Sequence, residues 1–370
     1  MGRASTEGMK DSVTFDSVPR PDGSADVLWV SEYPPTTGGI SDYSDELVNE
    51  LSTRDLQIHV LSESGSQPDS ATSNVTVVGT TPRSATEWMR VLGAGYENVV
   101  VQLPGVDLSG LTLVGPQARW HTNLICVAHE PPTAEFQFTA FTFDHYAFLS
   151  EFAESVFRDR FKWPLRLGRA TTSQLPYFGI DENIHTRVAQ PDAAADISAD
   201  RLVVCPGFIT ERKRYHLAAD ALTHTNADDI HVVFAGGVHR NDNDAYLTEL
   251  QRRVADSGLE GSVTFTGMLS EAEVNGWLSA ADIALLPYEH IYQSSVLVKA
   301  IALNTYPVVA GIPGLQKLVE IYGGDVLDTV TAEEIAHVLT SGQYGDVATE
   351  KLLEDLSWEA NASAYESLLH

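Results

Sequence analysis

The sequence predicts an α/β protein made of two Rossmann-like halves, each a parallel sheet with helices on both faces. Three observations carry this reading. The chain has 370 residues, and at about 150 residues per domain that is two domains, not one. Short continuous apolar runs rich in Val, Ile and Leu alternate with helix-like segments, the pattern of strands buried on both faces. The alternation lapses once, over 188–200, and then starts again.

In the first half VLWVS (27–31) is a buried strand, and Ile40, Tyr43, Leu47 and Leu51 then recur at helical spacing. QIHVLS (57–62) and NVTVVGT (74–80) are the next strands. A helix-like TEWMRVLGAG follows, then strands at NVVVQL (98–103), NLICVAH (123–129) and HYAFLS (145–150). The stretches 104–122 and 131–144 carry no decisive periodicity. VAQPDAAADISAD (188–200) has Pro, Ala and Asp in place of an apolar period and reads as a linker. The second half opens with RLVVCPGF (201–208), a helix over 214–224 and IHVVFAGG (230–237). A charged helix over 243–256 leads to SVTFTG (262–267), a helix (270–280), IALLPY (283–288) and a helix (295–303). YPVVAG (306–311) and GDVLD (324–328) complete the strands, and the remainder is helical and amphipathic, with Trp358 and Tyr365 available to pack. The expected layout is a tail (1–24), a first domain (25–187), a linker (188–200), a second domain (201–345) and C-terminal helices (346–370) that can cross back to the first domain. Two such halves imply a cleft beyond the carboxyl ends of the strands, where open α/β sheets bind ligands.

Composition narrows the function classes. Hydrophobic residues are 43% and aromatic residues 9% of the chain, ample for packed cores and incompatible with global disorder. There are 51 acids against 23 bases, a net charge of −28, and only six of the bases are lysines. Such a chain is repelled by phosphate backbones and by anionic lipid, which argues against nucleic-acid binding and against a purely electrostatic hold on a membrane. The acids are scattered from Glu7 to Glu366 without a long run. A uniformly acidic, lysine-poor surface suits very high salt, where the Debye length falls to about 3 Å at 1 M; the composition points to a haloarchaeal type of source. Cys126 and Cys205 lie in apolar runs. One bridge is allowed by number, and buried free thiols in a reducing cytoplasm are the preferred reading. No apolar stretch approaches the roughly 18 residues of a membrane span, and the polar first 24 residues read as a tail, not a signal peptide.

Four segments can carry chemistry. Gly38-Gly39 precede a helix after the first strand, where glycines let backbone amides approach a phosphate or sugar, or serve turn geometry alone. His129 and Glu130 end the strand NLICVAH; the imidazole there can bind a sugar hydroxyl, take part in proton transfer, or be satisfied by backbone. After Gly207, Arg212-Lys213-Arg214 are three consecutive bases in a lysine-poor chain, placed to hold a diphosphate or to form surface ion pairs. Ser294 or Ser295 caps a helix starting near Val296, leaving amides and a positive dipole end for an anion, or simply closing the helix. A G-x-S-x-G elbow, a Walker loop, H-E-x-x-H and Cys/His zinc spacing are all absent.

Taken in order, these segments resemble the GT-B-fold, retaining, nucleotide-sugar-dependent glycosyltransferases of family 4. The resemblance runs from about residue 26 to 340. It rests on YPPTTGGISDYSDELVNEL, VAHEPP, FLSEFAESVFRDRF, PYFGIDENIH, PGFITERKR, VTFTGMLSEAEVNGWLSAADIALLPY and VLVKAIALNTYPVVAGIPGLQKLV. It implies a first domain on the acceptor side, a second on the nucleotide-sugar side, and parallel sheets facing across a cleft. Gly38 and Gly39 would then approach the transferred sugar and its phosphates, and His129 would contact the donor sugar. Lys213 with Arg212 would neutralise the leaving diphosphate, also held by Gly207 and the amides and hydroxyls of Ser294, Ser295 and Val296. Met268 and Leu269 would receive the base through backbone atoms, and Glu130 is a further candidate beside His129. No metal or other cofactor is implied beyond the nucleotide-sugar donor. The acceptor class spans glycans, lipid-linked saccharides and small molecules, with a cytoplasmic location that allows peripheral association at the inner face of the membrane.

Three departures from the family pattern stand out. The two glutamates eight positions apart fall here on Ile291 and Lys299, with Glu289 two residues early. The second of those glutamates normally accepts hydrogen bonds from the ribose, whereas Lys299 is donor-only and would reach a phosphate instead. Phe208 stands where many members have an arginine, and Arg214 where a glycine is common. A catalytically silent sugar-nucleotide-binding protein and a sugar-nucleotide epimerase of the same fold are the competing expectations.

Overall fold

The computed structural model describes residues 25–36, 38–131, 141–162, 170–226, 229–238, 244–341 and 344–369. The expected tail (1–24) and most of 131–144 lie outside them. The chain divides into two units, one reaching to Leu175 and resuming at Asn361, the other spanning Pro176–Ala360. The division falls at Leu175/Pro176, ahead of the 188–200 segment.

The first unit holds seven parallel strands: β1 (Val27–Val30), β2 (Ile58–Ser62), β3 (Val75–Thr80), β4 (Asn98–Leu103), β5 (Asn123–Ala128), β6 (His145–Phe148) and β7 (Thr171–Gln174). Their order across the sheet is β3-β2-β1-β4-β5-β6-β7. β1 and β4 are buried along their whole length, as continuous apolar runs in a doubly covered sheet should be. The helix Gly39–Ser52 returns the chain, burying Tyr43, Leu47, Val48 and Leu51 on one stripe. Ser150 caps Glu151–Arg160, accepting from the Ala153 amide at 3.1 Å. Glu151 and Glu154 in its first turn and Arg158 and Arg160 in its last complement the helix dipole.

The second unit holds six parallel strands: β8 (Arg201–Pro206), β9 (Ile230–Ala235), β10 (Val263–Phe265), β11 (Ile283–Leu286), β12 (Tyr306–Ala310) and β13 (Asp325–Leu327). Their order is β10-β9-β8-β11-β12-β13. In both sheets the chain steps outward on one side of the first strand and later returns to its other side. That reversal lies between β1 and β4 and between β8 and β11. Crevices at such points are where open parallel sheets bind ligands.

Several elements differ in detail from the sequence expectation. The undecided stretch 104–122 forms the helix Ser109–Ala118. The edge strand β7, TTSQ, has no apolar alternation to announce it. The helix after β8 begins at His216, not 214, because Glu211–Lys213 form a single 3-10 turn that ends with Arg214 in the left-handed region at φ 50°. The 188–200 segment is not a bare linker. It contains the short helix Asp192–Ala195, and Gln190 donates to the Ser279 carbonyl at 2.8 Å. Gly276 leaves room for Ala189, whose oxygen would lie 2.5 Å from a Cβ there. The last helix, Trp358–Glu366, runs from the second unit into the first. The Trp358 ring lies against Gly179, and Tyr365 packs on Trp29, ring centroids 5.6 Å apart. Cys126 and Cys205 are both free and buried.

Candidate functional site

In the first unit the candidate groups gather where β1, β4 and β5 end side by side. Gly38 and Gly39 are exposed at the start of the helix after β1. The carboxyl group of Glu32 lies between loops: a Cβ on Gly38 would approach it to 3.9 Å, and one on Gly105, after β4, would reach 2.6 Å. Gly105 at φ +111° is therefore required both by its backbone and by the carboxylate beside it. Partial burial, reinforced by Glu63, raises the Glu32 pKa. The sequence gives little warning of Glu32, an acid among the many that follow strands.

His129 ends β5 and is only 4% exposed, while Glu130 beside it is exposed. The His129 ring meets the edge of Tyr43 at 5.1 Å, and its Nε2 lies 2.6 Å from Nε2 of Gln102 on β4. Burial depresses the imidazole pKa to about 3, so the ring is neutral at any ordinary pH. Gln102 in turn bonds Trp29, Ser31 and Ser44. Tyr43 reaches the Tyr365 hydroxyl at 3.1 Å, which brings the end of the chain into the support of His129. Gln102, Tyr43 and Tyr365 are structural supports of His129 that motif reasoning passed over. The signal for Gln102 was present, since it is the polar exception inside the run NVVVQL.

In the second unit the loops after β8 and β11 interlock. Lys213 is 7% exposed. Its Nζ donates to the Pro206 carbonyl at 2.9 Å and sits over the rings of Tyr215 and Tyr288 at 5.5 and 5.4 Å. Gly207, at φ +89°, leaves the space this ammonium needs: an added Cβ would lie 2.6 Å from Nζ. Burial, with help from Arg212 and against Cys205, pushes the Lys213 pKa down to about 7. The three bases therefore part company. Arg212 is exposed and makes no ion pair with a described residue. Arg214 spends its guanidinium on the Pro287 and Tyr288 carbonyls, at 3.1 and 2.8 Å. Its left-handed backbone explains why a glycine suits that position. The Glu289 side chain is exposed, and its amide donates to the Arg212 carbonyl at 2.8 Å. Phe208 is exposed.

The helix Ser295–Ala302 starts beside these loops in sequence, directly after the β11 loop. The Ser294 hydroxyl accepts from the Leu297 amide at 3.2 Å, and the Ser294 amide donates to Tyr177 at 2.8 Å. Among the described residues no backbone group accepts from the amides of Ser295 and Val296, first-turn donors of the kind that make a helix N-terminus receptive to anions. Lys299, one turn on, binds Glu271 at 2.6 Å. Met268 is exposed and lies against Gly237, and Leu269 is half-buried. Among the described residues no group of three or more His, Cys, Asp or Glu side chains is arranged to hold a metal ion. No described helix is long and apolar enough to cross a membrane.

Residues 200–340 match the family described as Glycosyl transferases group 1. A search of curated protein sequences finds no match. Among solved structures, HepE of Anabaena in complex with UDP is similar at 16% identity and a TM-score of 0.70, covering 93% of this chain and 99% of that one. Sucrose-phosphate synthase of Thermosynechococcus elongatus is similar at 16% identity and 0.70, covering 93% and 98%. The E. coli trehalose-6-phosphate protein bound with UDP-2-fluoro glucose is similar at 12% identity and 0.68, covering 93% and 98%. The family match thus lies within the second unit, and the chain has an α/β fold with two parallel sheets that matches GT-B glycosyltransferase structures.

Proposed function

We propose that this protein is a retaining glycosyltransferase of the family 4 kind, moving a sugar from a nucleoside-diphosphate sugar to a hydroxyl of a glycan, lipid-linked or small-molecule acceptor. The observation that carries the reading is the cluster after β8 and β11. A caged lysine, an exposed arginine and a helix N-terminus lie at the reversal point of the domain that matches the glycosyl transferases group 1 family. HepE, solved with UDP and with UDP-glucose, supports a uridine nucleotide as the first donor to try.

Three tasks follow for the residues. Lys213, Arg212 and the Ser295 and Val296 amides receive the diphosphate; as the bond from the anomeric carbon to it breaks, the electron pair and the growing negative charge go to the phosphate oxygens, while the acceptor hydroxyl oxygen bonds to that carbon and its proton passes to the departing diphosphate. Fixed cations and amides stabilise such charge without reorganising, which is the largest electrostatic contribution available to a group transfer. Gly207 and the Met268–Leu269 backbone shape the nucleotide side. His129, with the Gly38-Gly39 loop and Glu130 nearby in the same unit, addresses the sugar. The reaction needs no metal in this reading, and the protein works in the cytoplasm of a halophilic, archaeal-type cell, with peripheral membrane contact only.

Incubation with UDP-, GDP- and dTDP-sugars in high salt, with saccharide and lipid acceptors, tests this by release of nucleotide and formation of a glycoside. The absence of turnover with every donor would overturn it. A second reading is a silent sugar-nucleotide binder, favoured by the Lys299–Glu271 ion pair that occupies a position where the resemblance expects a free carboxylate. Calorimetric binding of UDP without any transfer distinguishes it.

A further inference from the structure

The alternatives left open for His129, hydrogen bonding or proton transfer, are decided by a residue on the neighbouring strand. Gln102 is fully buried on β4, between β1 and β5. Its two amide atoms face opposite surroundings. Oε1 lies 3.2 Å from Trp29 Nε1, 3.0 Å from Ser31 Oγ and 2.7 Å from Ser44 Oγ. Nε2 lies 2.6 Å from His129 Nε2.

The two serine hydroxyls donate or accept equally well, so they say nothing about which way the amide points. Trp29 does, because an indole nitrogen only donates. Turning the amide over would set its NH2 against the Trp29 N–H, two donors with no acceptor, in a site sealed from water. The oxygen therefore belongs on the Trp29 side and the NH2 on the His129 side. An amide nitrogen cannot accept, so His129 Nε2 must be the acceptor and carry no proton. The ring, which is neutral where it is buried, keeps its single proton on Nδ1.

We propose that Gln102, keyed by Trp29, is a positioning residue that locks His129 as the neutral Nδ1–H tautomer. Nε2 is then committed to Gln102 and cannot take a proton from an acceptor or give one to a leaving group. His129 serves by orienting and hydrogen bonding, not as an acid or base. Trp29 also packs on Tyr365, whose hydroxyl meets that of Tyr43, the residue at the edge of the His129 ring. Tyr365 thus contacts both the key and the second support of the histidine. The functional part of this inference rests on the sugar-binding role proposed for His129; the tautomer stands without it.

The experiment is two-bond 1H–15N correlation spectroscopy on the full chain labelled at histidine and glutamine, with the His129 signals assigned from a His129→Gln variant. The expected result is a protonated Nδ1, a bare Nε2 and a through-hydrogen-bond 15N–15N coupling between Gln102 and His129. A protonated Nε2, or no such coupling, in the wild-type protein overturns the proposal. In Gln102→Glu the side chain keeps acceptors for Trp29 but offers His129 one as well, so a proton should appear on Nε2; an unchanged tautomer in the folded variant also overturns it. The same variant should keep UDP affinity within about twofold, since the diphosphate groups lie in the other unit. It should lower kcat for sugar transfer at least about tenfold, and Gln102→Asn should not restore the rate. Failure of the wild-type protein to bind UDP, GDP and dTDP alike would count against the proposed function and leave the tautomer result standing.

Discussion

Lys299 and Glu271 form an ion pair of 2.6 Å that ties the helix Ser295–Ala302 to the first turn of Glu271–Ala280. The ammonium is thereby turned toward a neighbouring helix of its own unit. Glu271 is more than half exposed, and pairs of that kind are worth about 0–1 kcal/mol.

Lys299→Ala should accordingly move Tm by no more than about 3 °C and change UDP affinity by less than about threefold. Lys299→Glu should be worse than Lys299→Ala, because it sets two carboxylates together, and the added Glu271→Lys should restore most of the loss. Thermal unfolding and calorimetric titration of the four proteins check this. A tenfold or greater loss of UDP affinity in Lys299→Ala, about 1.4 kcal/mol, would assign the ammonium to the nucleotide.

Lys213 gives a pH prediction with a definite sign. Its folded pKa is about 7 against 10.5 for an exposed lysine. In the free protein the ammonium is charged below that pH and loses its proton above it. A bound diphosphate holds the group charged, so binding above about pH 7 takes up a proton, and UDP affinity falls there by up to about tenfold per pH unit. Stability of the free protein runs the other way. Between about 7 and 10.5 the unfolded chain binds the proton that the folded chain has released, so unfolding becomes harder as pH rises. Titrations in buffers of different ionisation enthalpy measure the proton uptake directly. Lys213→Met should abolish the uptake and weaken UDP; uptake that persists in this variant would exclude Lys213 as its source.

Arg214 separates backbone strain from side-chain bonding. Its left-handed backbone costs an ordinary residue about 1–2 kcal/mol, and its guanidinium makes charge-assisted bonds to Pro287 and Tyr288 worth about 1.5–3 kcal/mol. Arg214→Ala loses the bonds and keeps the strain. Arg214→Gly loses the bonds and relieves the strain. The order of Tm should be wild type, then Arg214→Gly, then Arg214→Ala, with the variants separated by about 2–5 °C. Equal Tm values for the two variants would show that the backbone at 214 is unstrained.

The same residue marks the limit of what sequence could tell. The run Arg212-Lys213-Arg214 is visible as a basic focus in an acidic chain, and its place after β8 follows from the apolar pattern. That one base is exposed, one caged by tyrosines and one bonded to carbonyls depends on a left-handed turn that no periodicity encodes. Strands such as β4 and β8 were legible because each is a continuous apolar run. β7 was not, because an edge strand of TTSQ has no buried face to impose alternation. His129 was legible from its place at a strand end, whereas its tautomer depends on Trp29, 73 positions from Gln102. Tyr365 could be expected to pack, but its partners Trp29 and Tyr43 come from the opposite end of the chain.

Salt should act in two distinguishable ways. With a net charge of −28 the folded chain repels itself, and raising the ionic strength from about 0.1 to 1 M shortens the Debye length from about 10 to 3 Å. Tm should therefore climb through that range in KCl. A flat or falling Tm would detach the composition from any adaptation to salt. Within the cluster proposed to hold the diphosphate the screening is uneven. Arg212 is exposed and its attraction for a phosphate should fade in molar KCl, whereas Lys213, at 7% exposure, is shielded from counterions by Tyr215 and Tyr288. Arg212→Ala should then weaken UDP binding at low salt and much less at high salt, while Lys213→Met weakens it at both. Under the proposed function, a diphosphate bound in concentrated salt would need a charge that salt cannot reach, and the tyrosine cage around Lys213 would supply one together with a lowered pKa.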